Sequence, residues 1–280
     1  LNIAGLGPIF GALLGAMYGP VAFLWITLGG ILIGGLHDYV SGMISMKMGG
    51  LSLPEIVGRY LGPVMKQSMR AVTLLLMVLV GAVFLVGPAG ILQGMTGMNQ
   101  STWIWIILLY YILATLLPID KIIGRIYPIF GAILLFSAIG VFVGLFVKGY
   151  PLMELWDNWN GVLVPYGDYF SANHFIPIFF ITVACGILSG FHSTQTAIIS
   201  RTMKSERQGR MTFYNMMVLE GFIAMVWAAG AMGAYNLGLQ AADASLATAT
   251  IGVICKDILG NVGGIIALLG VIVLPITSGD

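Results

Sequence analysis

A histidine, a glutamine and several hydroxyl side chains interrupt a stretch of the sequence that is otherwise apolar. The stretch "GILSGFHSTQTAIISR" covers residues 186–201 and places His192, Ser193 and Gln195 shortly after Gly190. Histidine exchanges a proton near neutral pH, while amide and hydroxyl groups orient a polar ligand. His192 stands nine residues before the closing arginine, which is about 13 Å along a helix. This pattern predicts a substrate or ion site, with a small-residue helix interface as the alternative.

Two further positions place ionisable groups in apolar segments. Glu220 follows Arg210 by ten residues, or about 15 Å of helix. A charge at that depth costs at least about 2.5 kcal/mol, so we expect Glu220 to form a proton or cation site, the alternative being a hydrogen bond between helices. His37 and Asp38 are adjacent and point about 100° apart on a helix, so they need not pair. They are candidates for a proton relay or an inner gate, or they are interfacial polar residues.

These residues match no common catalytic or metal-binding motif. The three histidines, His37, His174 and His192, fall in three different segments, and no H-E-x-x-H, H-x-E or G-x-S-x-G motif is present. The two cysteines are far apart and have no zinc or redox spacing. We therefore expect no enzyme activity, no metal and no cofactor. The rival hypothesis is an intramembrane hydrolase that uses His37, His192 and Glu220.

The composition defines the class of protein. Hydrophobic residues make up 59% of the chain, charged residues 8%, and the mean hydropathy is +0.98, whereas a soluble domain carries about 25% charged residues. The sequence therefore predicts an all-α integral membrane protein that contacts lipid. The net charge of +1 gives no sign of a nucleic-acid partner.

Apolar runs long enough to cross a hydrocarbon core of about 30 Å predict eight helical spans in one transmembrane domain over residues 1–280. The predicted spans are 1–18, 20–46, 71–98, 102–118, 122–147, 174–200, 211–235 and 261–279. The chain begins and ends beside apolar runs, which we interpret as a fragment of a longer protein.

The basic residues predict the orientation of these spans, because Lys and Arg accumulate on the cytoplasmic side. Loops 47–70, 119–125 and 201–210 hold ten of the 12 basic residues, and the intervening loops hold the other two. The ten are Lys47, Arg59, Lys66, Arg70, Lys121, Arg125, Arg201, Lys204, Arg207 and Arg210. These three loops are therefore predicted to be cytoplasmic. In the first of them, Ser52 and Glu55 have the spacing of a capping box, which predicts a surface helix at 53–61.

Spans one and six run in opposite directions in this topology, as the first helices of two inverted five-span repeats would. Glycine and proline interrupt both of them, at Gly5, Gly7 and Pro8 in span one and at Gly190 in span six. Interrupted helices in corresponding positions of two inverted halves are typical of the binding site of a secondary transporter. The pattern predicts a multi-span helical bundle that forms part of a five-plus-five transporter core. Its two broken helices would present backbone amides to a carboxylate.

Several of these stretches resemble the carbon starvation protein A family of bacterial inner-membrane proteins, in the same order along nearly the whole chain. They are "IAGLGPIFG" at 3–11, "GGLHDYVSG" at 34–42, "LSLPEIVGRYLG" at 51–62, "YPIFGAILL" at 127–135, "SGFHSTQTAIISRT" at 189–202 and "LPITSGD" at 274–280. The last string adds Asp280, preceded by two hydroxyl residues, to the candidate site.

The resemblance implies a multi-pass protein of the bacterial plasma membrane that imports peptides or pyruvate when preferred carbon is scarce. It also implies an inverted five-plus-five repeat and coupling to a cation gradient. Together with the residues above, it leads to the hypothesis of a cation-coupled secondary transporter, with the proton favoured as the coupling ion. His192 and Gln195 would orient the substrate, and Glu220 or Asp38 would carry the proton. The alternatives are a nutrient sensor or scaffold that does not transport, and a channel.

Overall fold

The chain is helical throughout the part that the structure, a computed structural model, describes: residues 6–116, 120–154, 192–240 and 247–277. The helices are α1 (Gly7–Ala16), α2 (Val21–Lys47), α3 (Leu53–Leu61), α4 (Pro63–Thr96), α5 (Gln100–Leu116), α6 (Asp120–Val147), α7 (His192–Thr202), α8 (Glu206–Asn236) and α9 (Ala247–Ile276). These ranges contain no strand, which confirms the predicted all-α class.

Five of the described helices are long and apolar enough to cross a membrane. They are α2, α4, the Pro128–Val147 part of α6, α8, and the Ala247–Val273 part of α9. Two shorter helices, α1 and α5, are also apolar. The protein is therefore a multi-pass helical membrane protein. The count of eight spans and the inverted repeat stay predictions.

Helix α8 lies at the centre of the bundle. In its most apolar window 61% of residues are buried, against 28% in α4, and α8 contacts α1, α2, α6 and α9. Its buried face alternates large Trp227 and Met232 with small Ala228 and Ala231. Small residues let neighbouring membrane helices approach closely, so α8 is the scaffold on which the other helices are placed.

The predicted surface helix is present as α3. Ser52 is its N-cap, and the backbone N–H of Ser52 donates to Glu55 Oε2 at 3.3 Å, as in a capping box. Helix α3 ends at Gly62, whose φ of 88° favours glycine, and Pro63 then begins α4. The capping box thus fixes the start of α3, and Gly62 with Pro63 separates α3 from α4.

Three helices contain a π turn, in which the backbone is wider than in an α-helix. The π turns are Gly7–Gly11 in α1, Gly30–Gly34 in α2 and Arg210–Asn215 in α8. Gly7 and Pro8, predicted to be unwound, lie within the first of these, so the helix is widened there and not unwound. Gly5 lies outside the described residues.

Helix α9 is sharply bent at Gly260, which has φ 71° and ψ −177°. The bend brings the backbone of Gly264 against the carbonyl of Cys255. The last span was predicted to begin at residue 261, and the structure shows a further helical segment from Ala247 up to the bend. Helix α9 therefore consists of two half-helices, and a glycine is needed where they meet because φ is positive there.

Candidate functional site

Two polar stripes face each other between α2 and α7. Their residues recur at three- and four-residue spacing, so each stripe lies on one face of its helix. The stripe of α2 contains Asp38, Gly42 and Ser45, and that of α7 contains His192, Thr196 and Ser200. All five side chains in the two stripes are buried. Buried polar groups in a membrane need partners, and the two helices supply them to each other.

Hydrogen bonds at one end of the stripes hold α7 against α2. The Ser200 hydroxyl lies 3.0 Å from the carbonyl oxygen of Gly42 and 2.7 Å from that of Thr196, and it donates to them. Arg201 Nε donates to the carbonyl of Gly50 at 2.8 Å. We call this end of the bundle, which is predicted to be cytoplasmic, the basic end. These contacts fix the position of α7 and therefore that of His192.

Aromatic rings of α8 pack onto glycines of α2. A side-chain carbon at Gly42 would lie 2.6 Å from the ring of Phe213, and one at Gly35 would lie 3.1 Å from the ring of Tyr214. Phe213 is buried and lies closer to the basic end than Asp38 does. The two glycines allow α8 to approach α2 on both sides of Asp38.

Asp38, His192 and Glu220 form a buried cluster where α2, α7 and α8 meet. His192 Nδ1 lies 2.8 Å from Asp38 Oδ2, and His192 Nε2 lies 3.5 Å from Glu220 Oε2. Relative exposure is 5% for Asp38, 8% for His192 and 1% for Glu220. Three residues predicted separately thus converge around one imidazole ring, and two of them are 154 positions apart in the sequence.

The geometry of this cluster allows the imidazole to share a proton with each carboxylate. With a proton on Nδ1, the 2.8 Å contact is a hydrogen bond from His192 to Asp38, and the longer 3.5 Å contact then accommodates a proton on either Nε2 or the Glu220 carboxyl. An imidazolium between two carboxylates and a neutral imidazole beside a protonated Glu220 both carry a net charge of −1. The two forms differ only by transfer of one proton across the 3.5 Å contact. The cluster can therefore hold one exchangeable proton between His192 and Glu220.

A small cavity of about 30 Å³ adjoins the cluster. Its wall includes Asp38, His192 and Glu220, and also Gln195, Thr212 and Phe213. A water molecule needs about 10–15 Å³ of such space and two to four polar partners. The cavity therefore suits one or two water molecules, and Gln195 is the predicted substrate-orienting residue that the structure places beside the cluster.

His37 also joins the cluster, which the sequence argument did not expect. His37 Nδ1 lies 2.9 Å from Asp38 Oδ1, although adjacent residues diverge by about 100° on a helix. The imidazole ring is long enough to reach back to the neighbouring carboxylate. The His37 side chain is 36% exposed, against 7% for Asp38. Asp38 therefore contacts one imidazole through each of its two oxygens.

The other predicted positions lie apart from this cavity or outside the described residues. Gly7 and Pro8 are buried in the π turn of α1, which contacts α8, and neither lines the small cavity. Ser193 is in α7, and Gly190 and Asp280 lie outside the described residues. In the described part of the chain, no group of three or more His, Cys, Asp or Glu side chains is placed to hold a metal ion.

A second cavity, which the sequence analysis missed, lies between α1, α4 and α9. Its volume is about 870 Å³, and its wall includes Gly87, Gly90 and Gly94 of α4 and Lys256 of α9. The glycines recur at spacings of three and four around Pro88, which would have been a usable signal of a concave helix face. We refer to it as the large cavity.

The long apolar helices and the buried ionisable cluster define a multi-pass membrane protein with a polar site in its interior. The sequence profile of the family "Carbon starvation protein CstA" matches residues 1–89 and 85–249. The chain therefore belongs to this family, as the resemblance in the sequence had implied.

Curated relatives agree with this assignment. The chain is 41% identical over 273 residues to an "Uncharacterized membrane protein" of Haemophilus influenzae. The alignment covers 81% of this chain and 74% of that relative. It is 24% identical over 290 residues to the "Peptide transporter CstA" of Helicobacter pylori, covering 80% of this chain and 41% of that protein. It is 23% identical over 299 residues to the "Pyruvate/proton symporter BtsT" of Escherichia coli, and this alignment covers 80% of this chain and 39% of the symporter.

The chain thus spans about two fifths of the length of these named transporters and three quarters of the Haemophilus protein. The relatives with functional names are transporters and not enzymes, in agreement with the expectation from the motifs. No solved structure matches the chain.

Proposed function

We propose that this chain forms part of a proton-coupled secondary transporter of the bacterial inner membrane that imports peptides or pyruvate during carbon starvation. The observation that carries the proposal is the placement of His192 between Asp38 and Glu220. Buried ionisable residues in membrane proteins mark ion and proton pathways. The names of the relatives, one of which is a pyruvate/proton symporter, favour the same class of function.

Each residue of the cluster has a distinct role in this proposal. His192 and Glu220 exchange the coupling proton across their 3.5 Å contact. Asp38 accepts the hydrogen bond from Nδ1 and so orients the imidazole with Nε2 toward Glu220. His37, on the other oxygen of Asp38, is the next group in the relay, and Gln195 orients a polar ligand at the cavity wall.

The proton is favoured over a metal cation by the space that is available. His192 fills the gap between the two carboxylates, and the adjoining cavity measures about 30 Å³. A sodium ion would need several oxygen ligands around it, and the ring nitrogen of His192 occupies a central position. Gly5, Gly7, Pro8, Gly190, Ser193 and Asp280 remain proposed contributors to the substrate path, through the backbone of the first and sixth spans.

Uptake into proteoliposomes tests the proposal. The full-length protein is reconstituted, and entry of labelled pyruvate and of a labelled dipeptide is measured with and without an inward proton gradient. We expect saturable accumulation of at least one solute that depends on the gradient. Accumulation of neither solute, in vesicles shown to contain folded protein, would contradict the proposal and favour a sensor. Flux without saturation and without dependence on the gradient would indicate a channel.

The variant Glu220→Gln identifies the coupling site. It keeps the size and hydrogen-bonding capacity of the side chain but removes the exchangeable proton, so accumulation above equilibrium should be lost while passive exchange of substrate continues. Glu206→Gln is a matched control, because Glu206 is exposed at the start of the same helix. Gradient-driven uptake that is equal in the two variants would remove Glu220 from the mechanism.

A further inference from the structure

The large cavity lies along a face of α4 that carries three glycines, Gly87, Gly90 and Gly94. A side-chain carbon added at Gly94 would meet nothing within 4 Å, and the same is true of Gly252 across the cavity on α9. Gly87 and Gly90 instead allow close approach of Leu6 and Thr248. Among the described residues, the open space therefore lies beside Gly94 and Gly252. At about 870 Å³, the cavity falls within the range of about 300–1,000 Å³ found for small-molecule sites.

The wall of α4 is held in shape by side chains of α5. Pro88 lacks an N–H, so the carbonyl of Phe84, four residues earlier, loses its usual helical partner. The hydroxyl of Tyr111 donates to that carbonyl at 3.3 Å, and Gln100 Nε2 donates to the carbonyl of Val86 at 3.2 Å. The first bond satisfies a backbone carbonyl that would otherwise be unpaired in the membrane, and the second adds a further contact between α5 and α4. The side chains of α5 thus hold in place the part of α4 that lines the cavity.

One charged residue, Lys256, is present among the described residues that line the cavity, and the rest of that wall is apolar or neutral. The neighbouring acid, Asp257, is already engaged: Lys148 Nζ lies 3.0 Å from its Oδ1, and the hydroxyl of Tyr150 donates to its Oδ2 at 2.8 Å. Within the described part of the chain, no carboxylate forms an ion pair with Lys256. The positive charge of Lys256 is therefore available to an anion in the cavity.

From this arrangement we propose that the large cavity binds a short apolar peptide, with Lys256 receiving the C-terminal carboxylate and the walls of α4 and α1 receiving the side chains. Phe10, Val83 and Ile91 supply the apolar surface. Pyruvate has three carbon atoms and would contact little of a cavity of this size. The inference rests on the proposed function and narrows its substrate to peptides.

The position of the cavity fits entry of a substrate from the side opposite the basic end. Gln93 lies near the C-terminal end of α4, and Lys256 lies four residues before the bend of α9. The next residue, Asp257, binds Lys148, which belongs to a loop predicted to lie on the side opposite the basic end. Phe10 belongs to α1. The cavity therefore extends from that end of the bundle toward the first helix, one of the two helices predicted to be interrupted. The small cavity beside Glu220 shares none of its described lining residues.

Equilibrium binding to the full-length protein in nanodiscs, with no gradient present, tests the inference independently of transport. The probes are phenylalanyl-alanine, the same dipeptide with a C-terminal amide, and pyruvate. We expect the dipeptide to bind and the amide to bind about tenfold more weakly, because a charge-assisted hydrogen bond is lost. Lys256→Gln should weaken dipeptide binding by about the same factor and leave binding of the amide unchanged. Lys256→Arg should restore most of the affinity.

Two control variants separate the site from its surroundings. Lys148→Gln removes a neighbouring charge that is already paired, so it should change dipeptide affinity by less than about twofold. Gly94→Leu should block binding by filling the cavity, whereas Gly81→Leu, on the same helix with open space around it and outside the cavity, should not.

Several results would overturn the inference. Equal affinity for the dipeptide and its amide, or equal effects of Lys256→Gln and Lys148→Gln, would exclude the role of Lys256. Tight binding of pyruvate without binding of the dipeptide would reject the peptide site while leaving a pyruvate transporter intact. Dipeptide binding without gradient-driven uptake would retain the site and reject the proposed function.

Discussion

The two cavities of the bundle differ in size, charge and the way they are closed. The small one measures about 30 Å³ and adjoins two carboxylates and an imidazole that are almost fully buried. The large one measures about 870 Å³ and is mostly apolar, with a single lysine in its described wall. A proton needs only a few precisely placed atoms, whereas an organic solute needs volume and apolar surface. If the two proposals hold, proton coupling and solute recognition take place at different helix contacts.

Both regions depend on glycine, but in opposite ways. On α2, Gly35 and Gly42 accept the rings of Tyr214 and Phe213, so the absence of side chains brings helices together. On α4, Gly94 faces open space, so the absence of a side chain leaves room. The same residue type therefore closes one region and opens the other.

The strongest test of this division compares Glu220→Gln and Lys256→Gln in one set of assays. We expect Glu220→Gln to abolish accumulation driven by the proton gradient and to leave dipeptide affinity unchanged. Lys256→Gln should raise the KM for dipeptide uptake about tenfold and leave the dependence on the gradient unchanged. If each variant altered both affinity and coupling, the two cavities would be parts of one site and the comparison would fail.

A change at Gly42 should have the next largest effect. In Gly42→Ala the added carbon would lie 2.6 Å from the ring of Phe213, and overpacking of this kind costs about 1–3 kcal/mol. Thermal unfolding in detergent should show a lower midpoint than for the unmodified protein. Gly30→Ala, on the same helix with no atom within 4 Å of the added carbon, is the control and should be close to neutral. A loss of stability as large in Gly30→Ala would show that α2 is intolerant of any side chain.

The hydrogen bond from Tyr150, which follows α6, to Asp257 of α9 should contribute less to stability. Burial, followed by the carboxylate of Asp257, raises the pKa of Tyr150, so its hydroxyl remains a hydrogen-bond donor throughout the neutral range. Tyr150→Phe removes this bond and should cost about 1–2 kcal/mol of unfolding free energy, with transport of the dipeptide retained. Tyr60→Phe, at an exposed tyrosine of α3, should be neutral. A change in dipeptide affinity in Tyr150→Phe would show that the hydrogen bond between Tyr150 and Asp257 affects the large cavity.

The smallest effect is expected in α3, which lines neither cavity. Glu55→Ala removes the capping box and should cost about 1 kcal/mol. Hydrogen bonds from the backbone and side chain of Ser52 lower the pKa of Glu55 below its ordinary value of 4.5. The stabilisation by the charged carboxylate is therefore present above that ordinary pKa and is lost as the pH falls through the lowered pKa of the folded state. The stability difference between Glu55→Ala and the unmodified protein should therefore shrink from pH 7 to pH 4. A difference that is constant with pH would assign the effect to packing.

Local signals in the sequence predicted local structure well. The Ser-x-x-Glu spacing predicted the start of α3, because a capping box satisfies backbone groups within a few residues, and Gly62 followed by Pro63 predicted its end. Depth counted from Arg201 and Arg210 singled out His192 and Glu220, because the cost of burying a charge depends on its distance from the membrane surface. Asp38 was a candidate only as a polar residue next to His37 in an apolar segment, and its partner His192 was not named.

Features that depend on contacts between distant segments could not be predicted in this way. The pairing of Asp38 with His192 depends on how α2 packs against α7, and the contact of His37 with Asp38 depends on side-chain torsions that helix geometry leaves free. The bend at Gly260 was hidden among the 39 glycines of the chain, since the sequence around it does not show that this glycine takes a positive φ between two helical segments. The large cavity arises between helices, so no single segment carries its full signature.

The π turn at Arg210–Asn215 has a consequence for the alignment of α8. A π turn contains one residue more than an α-helical turn, and each residue advances the helix by about 100°. Without that additional residue, Glu220 would be rotated by roughly this angle about the helix axis and would no longer face His192. A single-residue deletion between 210 and 215 would thus change the rotational phase of the whole following helix. The meeting of carboxyl and imidazole inside the helix bundle is set by the number of residues near the basic end.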